Sequence, residues 1–242
     1  MFASQILLRA RFSIAEIGVR VCADQWTPTD EYEELVRVEW ERMRTGVTHP
    51  LWDGTYYRVL NAAELKDSAA SRPGTMRLGT VRYRYIATLP ALWEQHTRCG
   101  LEPLEHLSIG ALIRTRDGYY LFGRRAQDGS IDMIGGGVQS DEMVVGSGGD
   151  LEENLYKEIR EEVGIGRADI HALEGIGMVR SATSNMILVG HARTVLSKAD
   201  AEARFAARTD PEMAEPEFVA EDELSEFLRA SGDYRRLVAE LL

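Results

Sequence analysis

"KEIREEVGI", residues 157–165, gathers three carboxylates, Glu158, Glu161 and Glu162, into about one and a half helical turns. On a helix, residues three and four apart share a face, so Glu158 stands beside both of the others. Like charges at that spacing cost roughly 0.2–0.5 kcal/mol per pair. Just upstream, Leu151, Leu155 and Ile159 are four apart and form a narrow apolar stripe. Asp150 and Glu153 have the spacing of a capping box, and Gly164 suits the left-handed residue that closes a helix. The pattern predicts a helix over 150–163. Its acids then fall at the C-terminal end, the negative pole of the helix dipole and the worst place for unpaired acids. Propensity and capping do not explain that placement, whereas a hard divalent cation with oxygen ligands does. The plainer alternative is a solvated charged face, with Glu153–Lys157 as a favourable pair and Arg160 as further compensation.

Working outward, residues 106–125, "HLSIGALIRTRDGYYLFGRR", are two apolar runs joined at Asp117-Gly118, a hairpin signal. A glycine-rich loop follows, with Gly135, Gly136 and Gly137 and then Gly146, Gly148 and Gly149. Beyond the helix, residues 175–196 predict two strands. Ser197 opens an alanine-rich helix, and the tail from Ala220 predicts one or two amphipathic helices. Before residue 104 the texture is mixed. Alternation from Leu8 to Val21 reads as strand. Residues 27–46 read as a helix capped by Thr29 or Asp30, striped by Tyr32, Leu35, Val36, Trp40 and Met43, and ended by Gly46. A strand is expected after Asp53-Gly54 and another over 76–89, "MRLGTVRYRYIATL". A short helix over 90–100 closes at Gly100. The expected organisation is an N-terminal accessory α/β region, 1–103, packed on a second domain, 104–242.

The 242 residues are 44% hydrophobic, enough for a core, and carry a formal net charge of −11. That balance disfavours a long nucleic-acid partner but permits a small phosphorylated ligand, because a metal ion inverts the local field. The two cysteines, Cys22 and Cys99, form no close pair, so a disulfide scaffold and a structural zinc site lose support. Ile6-Leu7-Leu8 is too short for a signal segment and is broken by Arg9 and Arg11. No run approaches the roughly 20 apolar residues of a membrane span. A cytoplasmic protein is expected, with a homodimer left open.

The carboxylate stretch and its flanks resemble the Nudix box, G-x5-E-x7-R-E-U-x-E-E-x-G-U with U aliphatic. Glu158, Ile159, Glu161, Glu162, Gly164 and Ile165 match as they stand. "IGGGVQ", 134–139, is similar to the usual P-G-G-x-V-E. The order of elements over about 104–230 fits the family. The resemblance implies an α/β/α Nudix sandwich, hydrolysis of a phosphoanhydride attached to a nucleoside, and Mg²⁺ or Mn²⁺ held by Glu158, Glu161 and Glu162. There are three departures. Lys157 stands where the box has Arg, keeping the charge but losing the bidentate fork. Gly149 stands where the first Glu belongs, with Glu152 or Glu153 as replacements. Residues 137–148 number twelve where the pattern has five, an insertion of seven. "VEWERM", "HPLWDGTYYRV" and residues 76–89 are also similar to the extra N-terminal domain of UDP-glucose-type Nudix diphosphatases. That branch implies a nucleotide sugar cleaved to UMP and sugar 1-phosphate.

The remaining expectations concern single residues. Glu158, Glu161, Glu162 and Lys157 are the catalytic candidates. Arg124, Arg125, Gly136 and Gly137 are candidates for binding the substrate phosphates, the arginines having surface ion pairing as an equal alternative. Arg82, Tyr83, Arg84 and Tyr85 alternate as a half-buried strand does. His191 reads as a core or interface histidine, and nothing marks His49 as a ligand. In the acidic segment 209–218, read as a solvated loop, Glu212 is the choice for a late metal-site acid. Met143, Val144 and Val145 in the insertion are expected to pack on the N-terminal region or on a partner subunit. The rival class is a Nudix-like binding module without hydrolysis, against which the intact acids argue. Hydrolysis of ADP-ribose or a dinucleoside polyphosphate is the alternative within the family.

Overall fold

The computed structural model of the chain describes residues 4–45, 51–67, 74–230 and 233–242. Strand β1 (Gln5–Phe12), a 3₁₀ turn (Ile14–Glu16) and β2 (Val19–Gln25) open the chain. They are followed by α1 (Asp30–Thr45), β3 (Thr55–Val59), α2 (Ala62–Asp67), β4 (Met76–Arg82), α3 (Tyr83–Thr88) and α4 (Trp93–Arg98). Next come β5 (Leu107–Arg114), β6 (Tyr119–Arg125), β7 (Ile131–Asp132), β8 (Ile134–Gly137) and α5 (Gly148–Val163). The chain ends with β9 (Ile170–Arg180), β10 (Met186–Thr194), α6 (Lys198–Ala207), β11 (Met213–Ala220), α7 (Leu224–Ala230) and α8 (Asp233–Leu241).

Among the described residues, one mixed sheet runs β1-β9-β10-β5-β6-β11, with β8 paired to β5 and β7 to β6. Only β10 and β5 run parallel within it. Alternate residues of β5 serve opposite faces, as the period of a strand requires. Ile109, Ala111 and Ile113 join Leu151, Leu155 and Ile159 of α5 in one apolar cluster. Leu112 joins Leu224, Leu228, Leu237 and Val238 of α7 and α8 in another. The protein is thus an α/β/α sandwich with a smaller mixed α/β N-terminal region. That region holds a second sheet, β2-β4-β3, and an apolar cluster of its own around Trp26, Tyr32, Val36, Val81, Tyr85 and Leu89.

Several elements follow the local signals. Asp117-Gly118 turns the β5–β6 hairpin, with Gly118 at φ +87°. Thr29 Oγ1 accepts the Tyr32 N–H and caps α1. Gly46 and His49 lie outside the described residues. Others differ from expectation. The Leu8–Val21 alternation is two strands in different sheets, separated by the turn that buries Ile14. Residues 76–89 are a strand only to Arg82. Asp53, some thirty residues upstream, accepts the Arg84 N–H at 2.9 Å and bonds Arg82 at 2.9 Å, which starts α3 at Tyr83. Helix α5 begins earlier than Asp150. Ser147 is its N-cap, and Asp150 completes the capping box from inside. Glu153 pairs with Arg167 rather than Lys157. The acidic segment 209–218 is largely β11, not a solvated loop. It is an edge strand, where Pro216 forfeits no ladder bond that an inner strand needs.

The insertion docks along the start of β3. Asp141 accepts the Thr55 N–H at 2.6 Å, and the Ser140 N–H donates to Thr55 O at 2.8 Å. Tyr57 Oη donates to Met143 O at 3.3 Å and accepts the buried Val145 N–H at 3.1 Å. Val145 is buried and Met143 packs on the core, but Val144 points to solvent at 83% exposure. Tyr57→Phe leaves the Val145 N–H without a partner. It is expected to lower stability by about 1–3 kcal/mol, read as a shift of the urea midpoint at unchanged slope. A midpoint equal to wild type would show that this hydroxyl does not hold the insertion.

Candidate active site

Helix α5 presents its acids to β8. Ile159 and Val163 anchor the helix in the core at zero exposure, and Gly164, at φ +73°, ends it. The anchoring turns Glu158 and Glu162 inward. Glu162 is 3% exposed, and its Oε2 accepts the Gly135 N–H at 2.7 Å. Glu158 lies against Gly136, where a Cβ would come within 2.8 Å of its Oε2. The strand can approach these carboxylates because side chains are absent there. Gly137 likewise admits the Tyr56 ring, which would stand 2.4 Å from a Cβ at that position.

Burial sets the electrostatics. It pushes the Glu162 carboxyl up to about 9, with Glu212 and Glu158 adding to the rise and the Gly135 N–H opposing it. Burial also pushes Glu158 up to about 7, where Lys157 opposes and Glu161, Glu212 and Glu142 reinforce. Lys157 Nζ stands 2.7 Å from Glu142 of the insertion, 3.4 Å from Glu161 and 3.8 Å from Glu158. Glu161 also meets Arg160 at 3.3 Å. Arg125 joins Glu212 at 2.5 Å and Asp132 at 3.3 Å, so Glu212 is tied to the site from the start of β11. Arg124 faces away along the edge, donating to Glu217 and to Gly129 O. Glu152 and Glu153 both face Arg167, so neither turns toward Glu158. His191 is buried with its Nε2 3.3 Å from Tyr120 Oη, in keeping with a core histidine.

On the other side of β8 a cleft of about 140 Å³ is lined by Gly135, Gly136, Gly137, Arg125, Asn185 and Tyr234, among others. Asn185 Oδ1 is buried there without a hydrogen-bond partner. Glu142, Asp132, Asn185 and Tyr234 were not among the sequence candidates. Glu142 sits in the insertion, and the other three carry no motif of their own.

A family model described as the NUDIX domain matches residues 104–241. The chain belongs to the NUDIX family. A curated relative, an RNA pyrophosphohydrolase of Halorhodospira halophila, is 36% identical over 66 residues, 27% of this chain. The match spans 33% of that relative's length. Among solved structures, the NUDIX hydrolase of Nitrosomonas europaea is 15% identical, with 58% of this chain and 86% of that one covered and a TM-score of 0.38. The MutT protein of Methanosarcina mazei Go1 is 23% identical, covering 52% and 80%, with a TM-score of 0.33.

Nudix hydrolases in general depend on a divalent metal. In the side-chain arrangement seen here Glu161 turns to Lys157 and Arg160, and among the described residues no three acidic, histidine or cysteine side chains enclose an ion. The donors nevertheless fit a hard cation. They are oxygens only, buried Glu162 has half-buried Glu158 beside it, and the cations beside them already serve Glu142, Glu212 and Asp132. A divalent ion suits a crowd of carboxylates that the protein's own side chains leave undercompensated. No helix among the described residues is long and apolar enough to cross a membrane.

Proposed function

We propose that the chain is a Nudix-type pyrophosphohydrolase that needs Mg²⁺ or Mn²⁺ and cleaves a nucleotide sugar of the UDP-glucose kind into UMP and the sugar 1-phosphate. The observation that carries the hydrolase reading is the pairing of buried Glu162 with half-buried Glu158 against the glycine strand β8. Glu158, Glu161 and Glu162 hold the ions. Bound Mg²⁺ offsets the charge of the diphosphate and lowers the pKa of an attacking water. The Gly135 N–H fixes the Glu162 side chain, and Lys157 spans Glu142 and the α5 acids, so the carboxylates are oriented before substrate arrives. Arg125 orients Glu212, our assignment for the group that takes the water's proton. Gly136 and Gly137 let a phosphate approach the strand closely. We further propose that residues 1–103 act as an accessory region to the Nudix domain 104–242 and contribute to substrate choice, since β3 meets the segment just after β8 at the isolated Tyr56–Gln139 bridge.

A second reading rests on the 66-residue likeness to a protein named RNA pyrophosphohydrolase. The 5′ end of such an RNA offers the same phosphoanhydride bond, although the net charge of −11 works against a long anionic strand. One panel separates these readings: UDP-glucose, UDP-galactose, ADP-ribose, a dinucleoside polyphosphate and 5′-triphosphorylated RNA, each with Mg²⁺, the products identified by mass. UMP and sugar 1-phosphate are expected, and ¹⁸O-water shows which phosphorus is attacked. Faster cleavage of ADP-ribose or the dinucleoside polyphosphate removes the nucleotide-sugar assignment. Pyrophosphate released from RNA supports the second reading. No hydrolysis of any compound leaves a binding module.

A further inference from the structure

The charged donors at the acid site are engaged by protein groups. All three guanidinium nitrogens of Arg125 bond Glu212 or Asp132, and Lys157 bonds Glu142. An anionic diphosphate entering a site crowded by carboxylates, Glu142, Glu158, Glu161, Glu162 and Glu212 among them, needs donors for oxygens that no metal covers. Two side chains of the N-terminal region remain. The Tyr56 and Tyr83 rings stack with centroids 5.4 Å apart at 29°, and Trp40 backs Tyr83 edge-on at 6.0 Å. Tyr56 packs against Gly137, and its hydroxyl feels the charges of Glu142, Glu158 and Glu212. The Tyr83 hydroxyl feels Glu212 and Arg125. Each ring is half-buried, and neither hydroxyl makes a hydrogen bond to a described residue. Packing engages the rings with one another and leaves the hydroxyl ends toward the acids. A phenol is a neutral donor, so it binds an anion without first being claimed by a carboxylate partner.

We propose that Tyr56 and Tyr83 bind the substrate directly, their hydroxyls donating hydrogen bonds to its phosphate oxygens, the N-terminal region thereby completing the site. The inference rests on the hydrolase reading above. Tyr56→Phe, Tyr83→Phe and the double variant keep the rings and their stacking. Melting temperatures are therefore expected to equal wild type, while KM for UDP-glucose rises about tenfold in each single variant and further in the double, with kcat changed less. Tyr57→Phe is the internal control. The adjacent residue points to the insertion, so it shifts melting and leaves KM alone. A non-hydrolysable probe, uridine 5′-(α,β-methylene)diphosphate with Mg²⁺, is titrated calorimetrically into the same proteins. Wild-type binding that weakens about tenfold in both single variants supports the proposal. Wild-type binding that is unchanged in the double variant overturns it while the hydrolase reading stands. Failure of the wild type both to bind the probe and to cleave any compound of the panel overturns both.

Discussion

Glu162→Gln is expected to make the metal-free protein more stable at pH 8 and to abolish most of its turnover. The wild-type carboxyl is buried and held at about 9 against an ordinary 4.5. A carboxyl held high favours the protonated folded state. Its contribution to stability is therefore fully present below about pH 4.5 and is lost as pH rises toward 9, at up to roughly 1.4 kcal/mol per pH unit. Glu158, held at about 7, adds a loss of the same sign that ends near neutrality. Glutamine carries no charge to bury and still accepts the Gly135 N–H. Metal reverses the order. An ion that binds only the folded state raises its stability by about 2.7 kcal/mol at a hundred times its dissociation constant. That rise should appear in wild type and shrink in Glu162→Gln. Turnover should fall roughly a hundredfold or more. Differential scanning at pH 5 and pH 8, with and without Mg²⁺, reads all of this. The assignment is lost if Glu158→Gln, Glu161→Gln and Glu162→Gln all keep wild-type turnover.

Gly148→Ala is expected to be the most damaging methyl group that could be added away from the acids. A Cβ at 148 would lie 2.2 Å from Ile14 O and 2.8 Å from both the N and the O of Ile17. All three are backbone atoms of the turn between β1 and β2, and the Gly148 N–H donates to Ile17 O at 3.1 Å. A flexible neighbour could move aside, but this backbone cannot without disturbing the buried Ile14. The cost should reach roughly 2–3 kcal/mol. The first turn of α5 would shift, and the carboxylates with it, so kcat should drop along with the melting temperature. Gly149→Ala is the comparison. Its Cβ would meet only Ser147 Oγ at 3.4 Å, and little change is expected. Equal melting of the two variants would show that the contact with residues 14–17 carries no load.

The helix of acids, the Asp117-Gly118 hairpin and the Ser197 cap were legible because each is written in adjacent residues. What was not legible depends on residues far apart in the chain. Asp53 starts α3, thirty residues on, and nothing within "RYRYIATL" distinguishes that helix from a continued strand. Segment 209–218 becomes β11 because β6 offers an edge, with Glu215 set opposite Arg124. The insertion obscured the true cap, since Ser147 lies outside the spacing the box prescribes. At the site, the acids and glycines of the box stand out locally. Glu142, Tyr56 and Tyr83 reach it only through the docking of β3 against the insertion, which no periodicity records.

The pairing of β1 with β9 sets an order on synthesis. Gln5 leaves the ribosome 175 residues before its partner Arg180. At about 5–20 residues per second, β1 waits roughly 10–35 s with its backbone unpaired. During that interval the apolar Leu7, Leu8 and Phe12, buried in the finished protein, have no sheet to join. Arg9 and Arg11 interrupt that apolar run, and such charges are what hinder a waiting strand from joining a neighbouring nascent chain. β1 thus leaves the ribosome ahead of every other described strand of the large sheet yet stays unpaired until β9 arrives, and through that wait the two arginines guard it.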